Sequence, residues 1–315
     1  MLHVLNGDAT ARVFAQTGLA GDVLVWRDIL VEGPAAAPAE RAPWLTAHLG
    51  IDADEYVRGR RAEAAALAAA DHHDEIVLWF EQDLFCAVNL WFLLHRFDAQ
   101  KPARLSLIFP GEVAGADGFR GLGALDAGRL ASLFARRAPV TGAMLALGRD
   151  VFAAYAGPDP RALETLVAGG GAALPFLAAA VRCHLGRFPS VASGVDEVEE
   201  ETLRALEGGP VDFPGLFATV RASERGRPHG MGDLQFAACL RELSRSPHAL
   251  VTLDAGEPAP RSWTLAITPL GRDVVAGRAD WLAHHRLDRW LGGVHLIPPR
   301  PHWRWDGRAR RLVAA

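Results

Sequence analysis

In the first third of the chain, short apolar runs alternate with longer helical stretches. The runs at residues 3–5, 22–26, 75–80 and 104–109 are apolar and β-prone, and each of the first three is followed by a segment of helix-forming composition. Strands that alternate with helices form βαβ units, whose crossovers make the strands parallel. We therefore predict an α/β fold with a small parallel, Rossmann-like, doubly wound sheet over residues 1–115.

The pattern changes twice after this sheet. Residues 116–189 are helical, with joints at Pro139, Gly157-Pro158 and the 169–171 glycine run, and they carry no polar cluster that suggests chemistry. Residues 190–315 begin with three helical segments, at 197–207, 213–221 and 233–244, followed by β-prone runs at 249–253 and 262–267. Three helices and a hairpin predict a winged-helix-like domain, with the helix from Asp233 offered to a groove.

Polar side chains follow the first three strands of the predicted sheet. In parallel sheets the loops at the carboxyl ends of the strands hold ligands. These loops carry several acidic groups and one arginine, which could bind a small polar ligand or a divalent metal, hold ribose hydroxyls or act as acid and base. The candidate pocket residues are Asn6, Asp8, Thr10, Arg27, Asp28, Glu32, Glu81 and Asp83.

A purely structural interpretation of these residues is also open. Asp8 and Asp83 would then cap helices, and Arg27 would pair with Glu32 or Asp28. Capping explains Asp8 and Asp83 individually, but it does not explain why three separate loops are acidic. We therefore favour a ligand site, without assigning catalytic residues.

A dinucleotide phosphate site is poorly supported by the first turn. It contains one glycine, Gly7, instead of the G-x-G-x-x-G spacing, and Asp8 would repel a phosphate. NAD and FAD are therefore not expected, whereas a metal-bridged phosphate or a nucleoside without phosphates remains open. A divalent metal is the one cofactor that these residues suggest.

Charge is distributed unevenly along the chain. The formal net charge is −4, but residues 221–315 carry 15 Arg and 9 Asp plus Glu, a net of +6 against −10 for the remainder. This asymmetry is typical of a surface that meets nucleic acid, although a solvated basic surface gives the same pattern. The nucleic-acid candidates within residues 221–315 are Gln235, Arg241, Arg245 and Arg261.

The carboxy-terminal tail interleaves tryptophan with arginine. Trp290, Trp303 and Trp305 could stack on bases beside arginines such as Arg289 and Arg304, or they could pack a terminal hairpin on the protein. We favour packing, since tryptophan is normally a core or interface residue.

The expected location is the cytoplasm. Met1 leads directly into a strand, a pattern that predicts no signal peptide, and no apolar run reaches the roughly 18 residues that span a bilayer. The cysteines at positions 86, 183 and 239 have no metal or redox spacing and are expected to be reduced, packed thiols.

Several short motifs resemble the family called domain of unknown function 1835. They are the NGDAT turn after the first strand, the Asp28, Leu30, Gly33-Pro34 ending of the second, the Arg41 and Trp44 pair, and LWFEQDLF at the end of the third. The resemblance covers most of the chain and implies a Rossmann-like fold with a helical and a winged-helix-like part, with no known activity. The chain departs from the family pattern at Ala9, where many relatives have serine, and at Gln82 and Cys86.

Two functions are compatible with these patterns. In the first, the α/β domain binds a small polar molecule and the winged helix contacts nucleic acid or a protein partner. In the alternative, the acidic strand-end pocket is that of a metal-assisted hydrolase or transferase on a nucleotide-like substrate. The oligomeric state is not predicted.

Overall fold

The structure is a computed structural model that describes residues 1–111, 113, 119, 121–171, 173–174, 176–255, 259–298 and 303–314. The strands are β1 (Leu2–Asn6), β2 (Asp22–Trp26), β3 (Ile76–Trp79), β4 (Leu105–Ile108), β5 (Ala138–Pro139), β6 (Val211–Asp212), β7 (Val251–Ala255), β8 (Trp263–Ile267), β9 (Arg289–Leu291), β10 (Val294–Leu296), β11 (Trp303–Asp306) and β12 (Arg311–Ala314). The α-helices are α1 (Asp8–Phe14), α2 (Pro38–Leu49), α3 (Ala53–Ala68), α4 (Leu84–Gln100), α5 (Ala127–Phe134), α6 (Gly142–Ala156), α7 (Arg161–Ala168), α8 (Leu177–Leu185), α9 (Glu197–Ala205), α10 (Phe213–Ala222), α11 (Asp233–Leu243) and α12 (Pro269–Val275).

The amino-terminal sheet confirms the predicted α/β class. Its strand order is β2-β1-β3-β4-β5, with the first four strands parallel and β5 antiparallel to β4. The apolar runs predict the four parallel strands but not β5, a two-residue strand at 138–139 that has no such run. The sheet therefore extends beyond residue 115 into the segment that was expected to be helical.

Both faces of this sheet are buried, which explains the continuous apolar runs. Along β1 and β3, alternate side chains enter two different cores. Val4 and Leu78 pack with α4 in the larger core, whereas Leu5 and Trp79 pack with α1 and α5 on the opposite face. The larger core also takes in α6, α7 and α8, so the helical region packs directly on the sheet domain.

The three helices and the hairpin predicted for a winged-helix-like part are present. Strands β6, β8 and β7 form an antiparallel sheet in that order, with α9, α10 and α11 packed against it around their own core of buried side chains between residues 195 and 281. Helix α9 starts at a capping box between Asp196 and Glu199, which satisfies free backbone N–H groups at its first turn.

The tail forms two hairpins, β9–β10 and β11–β12, which return to the larger core. Leu291, Leu296, Trp305 and Leu312 are buried there, and Trp305 is 4% exposed. The Arg304 guanidinium donates a hydrogen bond to the Asp280 carboxylate at 2.7 Å. The interpretation of the tail as a packed hairpin is therefore confirmed for Trp305. Among the described residues, no helix is long and apolar enough to cross a membrane.

Candidate functional site

The order in which the chain adds strands to the sheet reverses between β1 and β3. The chain leaves β1 towards β2 on one side, whereas β3 and β4 lie on the other, so ligands are expected in the crevice outside these two strand ends. Asn6 ends β1, and Glu81, Asp83 and Cys86 follow β3 at the start of α4. The strand order thus brings together residues that are about 75 positions apart in the sequence.

Hydrogen bonds fix the four side chains at this crevice. Asp83 accepts the backbone N–H of Cys86 at 2.7 Å and caps α4, and Glu81 accepts the N–H of Leu122 at 2.6 Å. The Asn6 amide donates to the Cys86 sulfur at 2.8 Å. One potential ligand atom each from Glu81, Asp83 and Cys86 lies within 4.8 Å of the others. We call Glu81, Asp83 and Cys86 the acidic cluster.

Among the residues that the structure describes, no cation forms an ion pair with Glu81 or Asp83 of the acidic cluster. Burial, and then the charge of Asp83, raise the pKa of Glu81 to about 8. Burial likewise raises the pKa of Asp83, and it raises that of the Cys86 thiol well above its usual range. The charge of Arg221 opposes the rise in pKa of both carboxyl groups, but it is a lesser cause in each case. The cluster therefore favours binding a proton or another cation.

These donors fit a divalent metal ion chemically. Thiolate and carboxylate ligands together suit Zn²⁺, which binds sulfur at about 2.3 Å and oxygen at about 2.0–2.2 Å. Within the described ranges, this is the one group of three or more His, Cys, Asp or Glu side chains close enough to share an ion. The metal suggested by the sequence would thus be held by Glu81, Asp83 and Cys86, of which Cys86 was not among the predicted pocket residues.

An apolar cavity adjoins the acidic cluster. It encloses about 60 Å³ between α4, α8 and the end of β4, with Gln82 and Asp83 as its polar lining. The apolar lining includes Leu90, Trp91, Leu107 and Leu177. Two further lining residues, Phe176 and Pro228, are exposed, so the cavity opens to solvent beside them. No feature of the sequence pattern pointed to this space, because its walls are ordinary core residues.

A segment of the winged-helix domain covers both the acidic cluster and the cavity. We call residues 226–230 the cover segment. Pro228 lines the cavity, and Gly230 lies against Asp83 so closely that a Cβ atom there would collide with the carboxylate. Gly230 has φ +62°, a conformation that glycine adopts without strain. Helix α11 begins three residues later, at Asp233.

The other predicted pocket residues divide among separate places. Asp8 and Arg27 form an ion pair of 2.7 Å with side chains 60% and 51% exposed. Arg27 thus pairs with Asp8 rather than with Asp28 or Glu32, and Asp8 lies in the first turn of α1, whose N-cap is Gly7. Thr10 is buried, and its exposed fraction is 2%.

Asp28 belongs to a buried loop network instead of a pocket. Its carboxylate accepts the Tyr56 hydroxyl at 2.9 Å, and Arg41 lies 3.5 Å away. Arg41 also donates to the carbonyl oxygens of Pro34 and Ile29. The motif residues Asp28, Pro34 and Arg41 therefore hold the loop after β2 in place.

Glu32 links the α/β domain to the helical region and to the winged helix. It accepts hydrogen bonds from Arg187 at 2.8 Å and from Gln235 of α11 at 2.9 Å. Gln235 is 9% exposed and so faces the α/β domain in this structure, not solvent. The partner of Glu32 could not be predicted, because Arg187 lies 155 positions away along the chain.

The remaining nucleic-acid candidates lie on the solvent side of the winged helix. Arg241 is exposed and lies over the ring of Trp263 at 5.0 Å, and Arg261 is exposed near the wing. Arg245 is 61% exposed and pairs with Glu242 at 2.9 Å. Three of the four candidates are therefore accessible to a partner.

Two buried histidines lie at the cover segment, His229 within it and His184 on the neighbouring α8, and neither stands in a sequence motif that would have pointed to it. His184 of α8 and His229 are 1% and 4% exposed, and burial lowers the pKa of each to about 3. Both ring nitrogens of His229 lack a hydrogen-bond partner within the described structure.

A scan against protein-family models and a search of curated proteins found no match for this chain.

Proposed function

We propose that this is a ligand-responsive protein, in which a small cationic ligand binds at the acidic cluster and the winged helix responds by changing its contact with nucleic acid or a protein partner. One observation carries the proposal: the cover segment touches Asp83 and the cavity and leads directly into α11. A ligand bound there alters the surroundings of Gly230 and Pro228. The start of the candidate recognition helix is therefore sensitive to occupation of the site.

The first test neutralises the site without a ligand. In a Glu81→Gln, Asp83→Asn variant both side chains keep a hydrogen-bond acceptor, while the repulsion between the two half-buried carboxylates is removed. We expect slower amide hydrogen exchange in residues 227–243 at pH 8, because the contact beneath Gly230 becomes more stable.

Asp8→Asn is the matched control, since it removes an exposed carboxylate at the same end of the sheet and should leave this exchange unchanged. Unaltered exchange in residues 227–243 of the double variant would contradict the proposed coupling.

The second test concerns the partner. The net charge of residues 221–315 and the exposed positions of Arg241, Arg245 and Arg261 support binding to a polyanion. We expect the protein to bind duplex DNA at low salt, and an Arg241→Ala, Arg245→Ala variant to bind at least tenfold more weakly with a smaller salt dependence. The measurement is fluorescence anisotropy between about 20 and 200 mM salt.

An Arg58→Ala, Arg61→Ala variant changes the net charge equally on exposed positions of α3 and serves as control. Equal loss in both variants would show non-specific attraction, and no binding at low salt would leave a protein partner as the target of the winged helix.

A metal-assisted hydrolase or transferase is the second candidate. A carboxyl group whose pKa is about 8, as for Glu81, can exchange a proton near neutral pH, and the three donor atoms suit a metal. A cavity of about 60 Å³ does not hold a nucleotide, so this candidate ranks second. Metal-dependent turnover of a phosphoester or nucleoside, lost in the Glu81→Gln, Asp83→Asn variant, would reverse the order.

A further inference from the structure

The charge and the shape of the crevice together suit a ligand with a cationic group at one end and an apolar group at the other. Among the ion pairs of the described residues, none includes Glu81 or Asp83, and Arg221 acts on them only through its field. Both side chains are half-buried, and half-buried carboxylates without a paired cation are costly to ionise, a cost that a cationic ligand lowers. The space that leads away from Asp83 is lined almost wholly by apolar side chains.

We propose that the ligand is a short-chain primary ammonium compound, whose charged nitrogen lies between Glu81 and Asp83 and whose alkyl chain fills the cavity between α4 and α8. This inference rests on the proposed function and names the ligand class of the same site. A bare divalent ion would use the carboxylates and Cys86, but it would leave the apolar cavity without a role.

The head group is specified by the available acceptors. Glu81 accepts one backbone N–H, that of Leu122. Asp83 accepts the backbone N–H groups of Cys86 and Phe85 and the Cys86 thiol, and since a carboxylate has about four lone-pair sites, each of the two carboxylates keeps at least one for a ligand. Gln82 lines the cavity and donates its amide N–H to Phe109 at 3.2 Å, which leaves its carbonyl oxygen as a third acceptor. An ammonium group has three N–H donors, so it can bond both carboxylates and one further acceptor.

The size of the apolar part follows from the cavity. A space of about 60 Å³ corresponds to roughly four water-sized volumes, which suits a chain of about four carbon atoms better than an aromatic ring. Phe109 and Phe176 stand 6.0 Å apart beside the open end and continue the apolar surface. Phe176 is 49% exposed, so bound alkyl groups would cover apolar surface that is open in the free protein.

The test compares four small compounds on the full-length protein by isothermal titration calorimetry at about pH 7.5. The compounds are n-butylamine, n-butanol, sodium butyrate and zinc chloride. We expect saturable binding of n-butylamine, at least tenfold tighter than that of n-butanol, and none of butyrate, since the carboxylates repel it. Glu81→Gln, Asp83→Asn should abolish amine binding, whereas Asp8→Asn should leave it unchanged.

The alkyl end has its own variant. Ala180→Leu places a larger side chain in the cavity from α8, a helix that carries neither carboxylate, and we expect amine affinity to fall at least tenfold. Circular dichroism and a thermal melt establish that the variant is folded, and Ala87→Val offers a smaller filling of the same space if it is not.

The outcomes separate this inference from the proposed function. Zinc binding that depends on Glu81 and Asp83, without amine binding, would overturn the ammonium ligand and keep a cation-responsive site. Amine binding that is indifferent to Ala180→Leu and Ala87→Val would overturn the placement of the alkyl chain. Binding of neither amine nor zinc, together with unchanged exchange in residues 227–243 of the neutralised variant, would overturn both.

Discussion

Arg41→Ala is expected to destabilise the protein by about 3–5 kcal/mol, the cost of removing one partner from a buried charged network. The Arg41 side chain is fully buried, with its exposed fraction at 0%, and it donates to Tyr56, Pro34 and Ile29. Its loss leaves two carbonyl oxygens unpaired and the Asp28 carboxylate without its cation. Urea unfolding followed by circular dichroism measures the change as a lower midpoint.

Arg58→Ala is the control for this prediction. Arg58 is exposed on α3, so its replacement should change the free energy of unfolding by no more than about 0.5 kcal/mol. A similarly small change for Arg41→Ala would mean that the loop after β2 holds its shape without the guanidinium. The motif residues around Gly33-Pro34 would then need a role other than structural support.

The free energy of unfolding is expected to fall as the pH rises from about 6.5 to 8.5, with a share of about 2 kcal/mol from Glu81 alone. Because the pKa of Glu81 is about 8 in the folded protein, the folded state retains a proton that the unfolded state has already lost. That contribution is fully present below about pH 4.5, declines as the pH rises, and is lost once the pH has passed through 8. Glu63 and Asp196 also have raised pKa values, both about 7, so their contributions are largely lost by that pH.

The Glu81→Gln, Asp83→Asn variant should lack most of the loss above about pH 7, because its side chains do not titrate. Its acid limb provides an internal control. Burial holds the pKa of His184 and His229 near 3, so their contribution is present above about pH 6.5 and is lost as the pH falls towards 3. An alkaline slope equal in both proteins, with the acid limb also unchanged, would assign the loss to groups outside the acidic cluster.

The sequence predicts well those parts of the fold that depend on local pattern. The four parallel strands and the winged helix follow from apolar runs and periodicity, and Glu81 and Asp83 follow from their place after β3. Strand β5 could not be predicted, since its two residues, Ala138 and Pro139, pair with β4 through an approach that the fold alone determines.

Contacts between side chains that are far apart in the sequence are what the sequence patterns fail to predict. The sequence predicts one pocket at one edge of the sheet. In the structure Asp8 and Arg27 are instead exposed to solvent, and Asp28 is part of the buried loop network. In the sequence, Cys86 is a departure from the family pattern and so weakens the interpretation of this strand end as an enzyme site. In the structure, however, it lies at the start of α4, where it accepts a hydrogen bond from Asn6. Such distinctions depend on which face a loop presents, which a single sequence does not encode locally.

The chain enters and leaves the winged helix through one narrow connection. The backbone N–H of Trp281, at the end of that domain, donates to the carbonyl of Ser193 at its beginning, and the preceding segment is bonded to Trp305 of the tail on both sides. Because its entry and its exit are adjacent and bonded to each other, the winged helix depends on side-chain contacts made away from its own ends, such as that of Gln235 with Glu32, for its placement on the α/β domain. The contact of Gly230 with Asp83 is one of these, so the chemistry of a single carboxylate bears on how that domain is seated.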